Sequence, residues 1–98
     1  MYNTIKIIKL LIKGNNMKEE FRTSDFYVAV FCKTKGMKLT GMDKSNPRSV
    51  FIFEDQDDRE EMIRNYWDAC AIVEPKAFVE NIRSLRQMLF SDSFGENN

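Results

Sequence analysis

Six carboxylates crowd one short stretch: Glu54, Asp55, Asp57, Asp58, Glu60 and Glu61. Oxygen donors this dense hold Mg²⁺ or Ca²⁺ when their spacing wraps the cation. Here the D-x-D-x-D-G pattern is absent and no E-x-K follows, so neither a metal nor any other cofactor is expected. Two uses of the cluster remain. Asp55 can cap a helix whose positive end the other carboxylates favour, at about 0.3–1 kcal/mol each. Alternatively, Asp57, Asp58, Glu60 and Glu61 form a solvated acidic face that receives a basic partner.

A second group has the opposite sign. Lys33, Lys35, Lys38, Lys44 and Arg48 follow one another closely, opposed by Asp43 alone. They complement a helix dipole and solubilise a hairpin, or they contact phosphates of a nucleic acid. Arg83 and Arg86, at i and i+3, join this group only if the fold brings them near. Phe51 and Phe53 share one face of a strand, as in base-stacking platforms. Burial under helices on both faces is the favoured expectation for that strand. Tyr66 and Trp67 are expected in the core, with Trp67 an interface anchor if it lies exposed.

Catalytic chemistry finds no carrier. The chain has no histidine, no G-x-S-x-G and no glycine-rich phosphate loop, and its glycines number four. Cys32 and Cys70 stand far apart in the sequence, each inside an apolar run, without the four ligands of a structural zinc. They are expected to be reduced, buried thiols of a cytoplasmic protein. Fifteen basic and 15 acidic side chains cancel, which excludes a uniformly basic or acidic binder. With 98 residues and 43% hydrophobic content, the chain suits one compact domain.

Residues 1–16, MYNTIKIIKLLIKGNN, stand apart. Lys6 and Lys9 interrupt the apolar run Ile5–Ile12, which is too short to span a bilayer. A membrane-surface helix, an added edge strand and a start codon assigned too early all fit. The last is favoured, because Lys13-Gly14-Asn15-Asn16-Met17 is how a purine-rich ribosome-binding site reads in frame before an ATG. Ile, Lys, Asn and Tyr, with AT-rich codons, supply most of the stretch. The expected organisation is therefore a non-native leader over 1–16, one domain over 17–90 and a flexible tail over 91–98. Without the leader's three lysines, 12 basic and 15 acidic side chains give a net charge of −3.

The elements follow from capping and period. Thr23-Ser24-Asp25 opens a helix over about 24–35 that Gly36 stops, with FYVAVFC buried on most sides. Met37–Thr40 alternates as a strand, Asp43–Pro47 turns, and SVFIFE over 49–54 is the second strand of a hairpin. Met62, Ile63, Tyr66, Trp67 and Cys70 form the apolar face of a second helix. Pro75 starts a third, striped by Phe78, Ile82, Leu85 and Leu89. The expected fold is a single α+β domain of order α-β-β-α-α, an antiparallel β-hairpin packed against three helices.

Three stretches carry a resemblance: Phe21-Arg22-Thr23-Ser24-Asp25-Phe26-Tyr27-Val28-Ala29 with Gly36 and Leu39; Phe51-Ile52-Phe53-Glu54-Asp55 with Tyr66; and Val73-Glu74-Pro75 with Arg83-Ser84-Leu85. Together they resemble a small family of domains of unknown function from bacteria and phages, over about residues 19–90. In that family the Thr-Ser-Asp segment opens a helix rich in Ala and Leu; here Val, Phe and Cys stand in its place. The resemblance implies a phage or prophage origin and brings no activity or catalytic residues. The expected function is non-enzymatic binding of a macromolecular partner, foremost a protein, as a modulator or inhibitor of a host system. The alternative is a nucleic-acid-binding accessory protein. Homo-oligomerisation stays open, and no membrane association is expected.

Overall fold

The computed structural model describes residues 19–45 and 47–91. The leader assigned to 1–16 and residues 92–98 of the assigned tail lie outside the described residues. Six elements follow in order: β1 (Glu20–Thr23), α1 (Phe26–Thr34), β2 (Leu39–Asp43), β3 (Val50–Glu54), α2 (Arg59–Trp67) and α3 (Pro75–Leu89). The α+β class is as expected. The order gains a first strand that pattern alone did not reveal. β1 carries one apolar residue, Phe21, in four, so alternation had nothing to register.

The sheet is antiparallel in the order β1-β3-β2. Its registers put Phe21, Phe53 and Leu39 on one level and Thr23, Phe51 and Met42 on the next, all facing inward. Arg22, Ile52 and Gly41 lie on the opposite face. A bulge between Leu39 and Gly41 restores this alternation. Phe51 and Phe53 are fully buried, whereas Val50, Ile52 and Glu54 are half-exposed. The strand is therefore covered on one face only, because the helices stack against the aromatic side. Burial on both faces is corrected, and the aromatic pair lies on the covered face, away from any exposed stacking platform.

α1 is the centre of the domain. Asp25 Oδ1 accepts the Val28 N–H at 3.0 Å, which places the N-cap at Asp25. Five consecutive residues, Val28 to Cys32, are buried, as required of a helix with neighbours on nearly every side. α1 packs against α2, α3 and β1. α3 starts at Pro75 behind an N-cap, Glu74, whose carboxylate accepts the N–H groups of Lys76 and Ala77. It buries Leu85 completely, with Phe78, Ile82 and Leu89 packed against the core. The α3 stripe is the one expected from its spacing.

α2 departs from expectation at both ends. Its N-cap position is Asp58, which makes no side-chain cap bond. Asp55 instead follows directly on β3, bound to Arg59 through Nε at 3.0 Å and Nη2 at 3.3 Å. The Arg59 guanidinium lies 4.4 Å from the Phe21 ring centroid, so this ion pair clamps β1 to the start of α2. At the other end, Trp67 is 63% exposed and Cys70 is also exposed. Both were expected in the core. The helix stops after Trp67, and Ala69 turns the chain left-handed with φ 60°, carrying Cys70 off the apolar stripe.

Candidate functional site: an acid-rimmed cleft beside α2

One face of α2 borders an open cleft of about 460 Å³. Asp58, Glu61, Met62 and Asn65 recur at helical spacing along that wall. The segment Cys70–Ile72, between α2 and α3, also lines the cleft, together with Phe31 of α1, Lys35 just past the end of that helix, and Gln56. Phe31 and Met62 are buried and give an apolar floor. Ile72 is 80% exposed although it is aliphatic. Tyr66 lies between the Phe31 ring at 5.1 Å and the Trp67 ring at 5.0 Å, so an aromatic row runs from the floor outward.

The acidic group divides on this geometry. Asp58 and Glu61 line the cleft; Asp57 and Glu60 are exposed but are not part of its lining. Asp58 Oδ1 accepts from Gln56 Nε2 at 2.7 Å, which fixes one rim carboxylate. Among the described residues no group of three or more Cys, Asp or Glu is placed to hold a metal ion.

The basic group divides further. Lys33 is in the last turn of α1, and Lys35 and Lys38 follow it closely. Lys44 and Arg48 lie beyond the far end of β2, about 20 Å from Lys38 at strand rise. Lys35 Nζ donates to Ile72 O at 3.2 Å, and Lys44 Nζ donates to the carbonyls of Met88 and Ser91 at the end of α3. Arg86 stands over the Phe26 ring at 5.5 Å, and Arg83 is exposed. Two of the five basic residues thus tie loops to helices rather than standing free.

A family model described as Domain of unknown function (DUF5659) matches residues 18–91. The chain belongs to that family. No curated protein and no solved structure matches it. The matched span coincides with the described fold, so the DUF5659 domain comprises all six elements and the cleft. Among the described residues no helix is long and apolar enough to cross a membrane.

The two thiols of the DUF5659 domain have opposite surroundings. Burial pushes Cys32 up to about 12, with nearby Arg59 opposing and Asp55 adding to the shift. Cys70 opens onto the cleft, its thiol 3.4 Å from Asp68 O. Sequence reasoning missed Asn65, Cys70 and Ile72 as cleft residues. Asn65 carried a usable signal, standing at i+4 from Glu61 and i+7 from Asp58; Cys70 and Ile72 carried none, because their placement depends on where α2 ends.

Proposed function

We propose that the DUF5659 domain is a non-enzymatic binding protein that captures a protein partner in the cleft beside α2. One observation carries the reading: an apolar floor, two rim carboxylates and an exposed aliphatic side chain surround one open depression. That combination suits a partner segment with an apolar side chain flanked by lysine or arginine. Trp67, exposed on the last turn of α2, suits an anchor at the edge of such a contact. Modulation of a host system by a phage- or bacterium-encoded protein in the cytoplasm is the setting we favour.

Nucleic-acid contact through Lys33, Lys35, Lys38, Lys44 and Arg48 has weaker support. These residues lie at both ends of β2, and two of them already bind carbonyls. The test compares full-chain baits in pull-downs from host lysate. Glu61→Lys places a cation on the rim and should lose the partner, whereas Glu60→Lys, outside the cleft, should keep it. Equal capture by both baits would refute the cleft as the docking site. Tight DNA or RNA binding that falls steeply with salt would move the function to the basic residues.

A further inference from the structure

Among the described residues one edge of β1 is unpaired, and its pattern suits a second copy of itself. β1 pairs with β3 on one side and with no described strand on the other. The bond from Asp55 N–H to Glu19 O, at 2.9 Å, makes 19 and 55 a hydrogen-bonded pair of that ladder. Hydrogen-bonded and non-bonded pairs alternate in an antiparallel ladder, so Phe21 also points its backbone groups at β3. Glu20 and Arg22 therefore direct their N–H and C=O groups to the free edge. Their side chains are both half-exposed on the uncovered face, 3.1 Å apart.

We propose that two copies of this domain associate through antiparallel pairing of β1 with β1, centred on Phe21. In that register Glu20 of each copy faces Arg22 of the other, and both residues exchange their outward backbone bonds. Each interface thus gains four backbone hydrogen bonds and two cross-strand ion pairs. Shifting the register by two residues sets Glu20 against Glu20 or Arg22 against Arg22, so charge selects a single alignment. Phe21 meets its symmetry mate at the non-bonded position, each ring backed by an Arg59 guanidinium. Short length and charged side chains ordinarily blunt an edge strand against non-specific pairing; β1 has both, and its opposite charges two residues apart make the pattern complementary to a second copy of itself. Four residues bury far less than a standard interface, which commits the dimer to a weak one. The sheet would become six-stranded and leave the cleft outside the contact.

Sedimentation equilibrium of the full chain at low salt, from about 10 µM to about 1 mM, tests this. Far-UV circular dichroism confirms that each variant is folded. Wild type should dimerise across that range. Glu20→Arg or Arg22→Glu alone sets like charges opposite each other and should weaken association by about tenfold or more. Mixing the two single variants should restore association as a heterodimer, and the double exchange E20R/R22E should restore the homodimer. A wild type that stays monomeric throughout overturns the proposal, as does a dimer indifferent to either reversal or not rescued by the exchange. None of these variants touches the cleft, so the partner reading stands or falls separately.

Discussion

α1 and α2 end in the same hydrogen-bond pattern with different residues at the critical position. In α1, Gly36 N–H binds Lys33 O at 3.0 Å and Met37 N–H binds Cys32 O at 3.0 Å. In α2, Ala69 N–H binds Tyr66 O at 3.1 Å and Cys70 N–H binds Asn65 O at 2.8 Å. Both are Schellman caps, which need a left-handed residue at the turn. Gly36 takes φ 99° without a Cβ penalty, while Ala69 takes φ 60° with one. A left-handed L-residue costs about 1–2 kcal/mol, and glycine's extra freedom in the unfolded chain costs about 0.4–1 kcal/mol. Ala69→Gly should therefore stabilise the domain by about 0.5–1 kcal/mol. Gly36→Ala should destabilise it by about the same amount, purely through torsion, because a Cβ there meets nothing within 4 Å. For a domain of this size each change moves Tm by roughly 2–8 °C. Urea unfolding followed by far-UV circular dichroism measures both, and the double variant should return close to wild type. Loss of stability in Ala69→Gly, or none in Gly36→Ala, would refute the reasoning.

Four further outcomes are expected. Leu85→Ala, at a fully buried position under α1, should cost about 2.7–5 kcal/mol in the same unfolding experiment, with any smaller cost reflecting collapse of the cavity. In the native protein a thiol reagent at neutral pH should modify Cys70 promptly and leave Cys32 unmodified, as read by peptide mass mapping. Because burial raises Cys32 from 9.0 to about 12, the unfolded chain loses that proton first, so stability should fall between pH 9 and 12, and the fall should be smaller in Cys32→Ala, where the raised Tyr66 hydroxyl still contributes. Asp43, held below its usual value by the Ser45 hydroxyl and N–H, favours the fold above the unfolded carboxyl pKa of 3.8 and loses that contribution as pH drops through its lowered value. Ser45→Ala should raise the Asp43 pKa in an NMR titration.

The elements most legible in the sequence were those with internal evidence. α3 carries Pro75 at its start and Phe78, Ile82, Leu85 and Leu89 at helical spacing, and it forms as read. α1 has a capping aspartate and a terminal glycine, which outweighed an apolar run that suited a strand equally. Asp55 misled because aspartate caps helices and pairs with arginine equally well; Arg59 at i+4, with Phe21 beneath it, drew it into the ion pair. β1 was invisible because its stability comes from β3, a partner distant in the chain, rather than from its own side chains.

Local chemistry determined the Asp25 cap and Gly36 stop of α1, the Pro75 start of α3, the α+β class, the family resemblance and the opposed signs of the two charge groups. Each of these depends on near neighbours in the chain, where spacing and side-chain type suffice. The tertiary structure alone decided that Asp58 and Glu61 line one cleft with Ile72 while Asp57 and Glu60 do not. It alone decided that the basic residues split between the two ends of β2 and that β1 presents Glu20 and Arg22 at an edge that no described strand pairs. Those outcomes depend on where helices stop and which strand pairs with which. Backbone turns such as the one at Ala69, and long-range pairing between β1 and β3, set them, and neither leaves a periodic trace in the sequence.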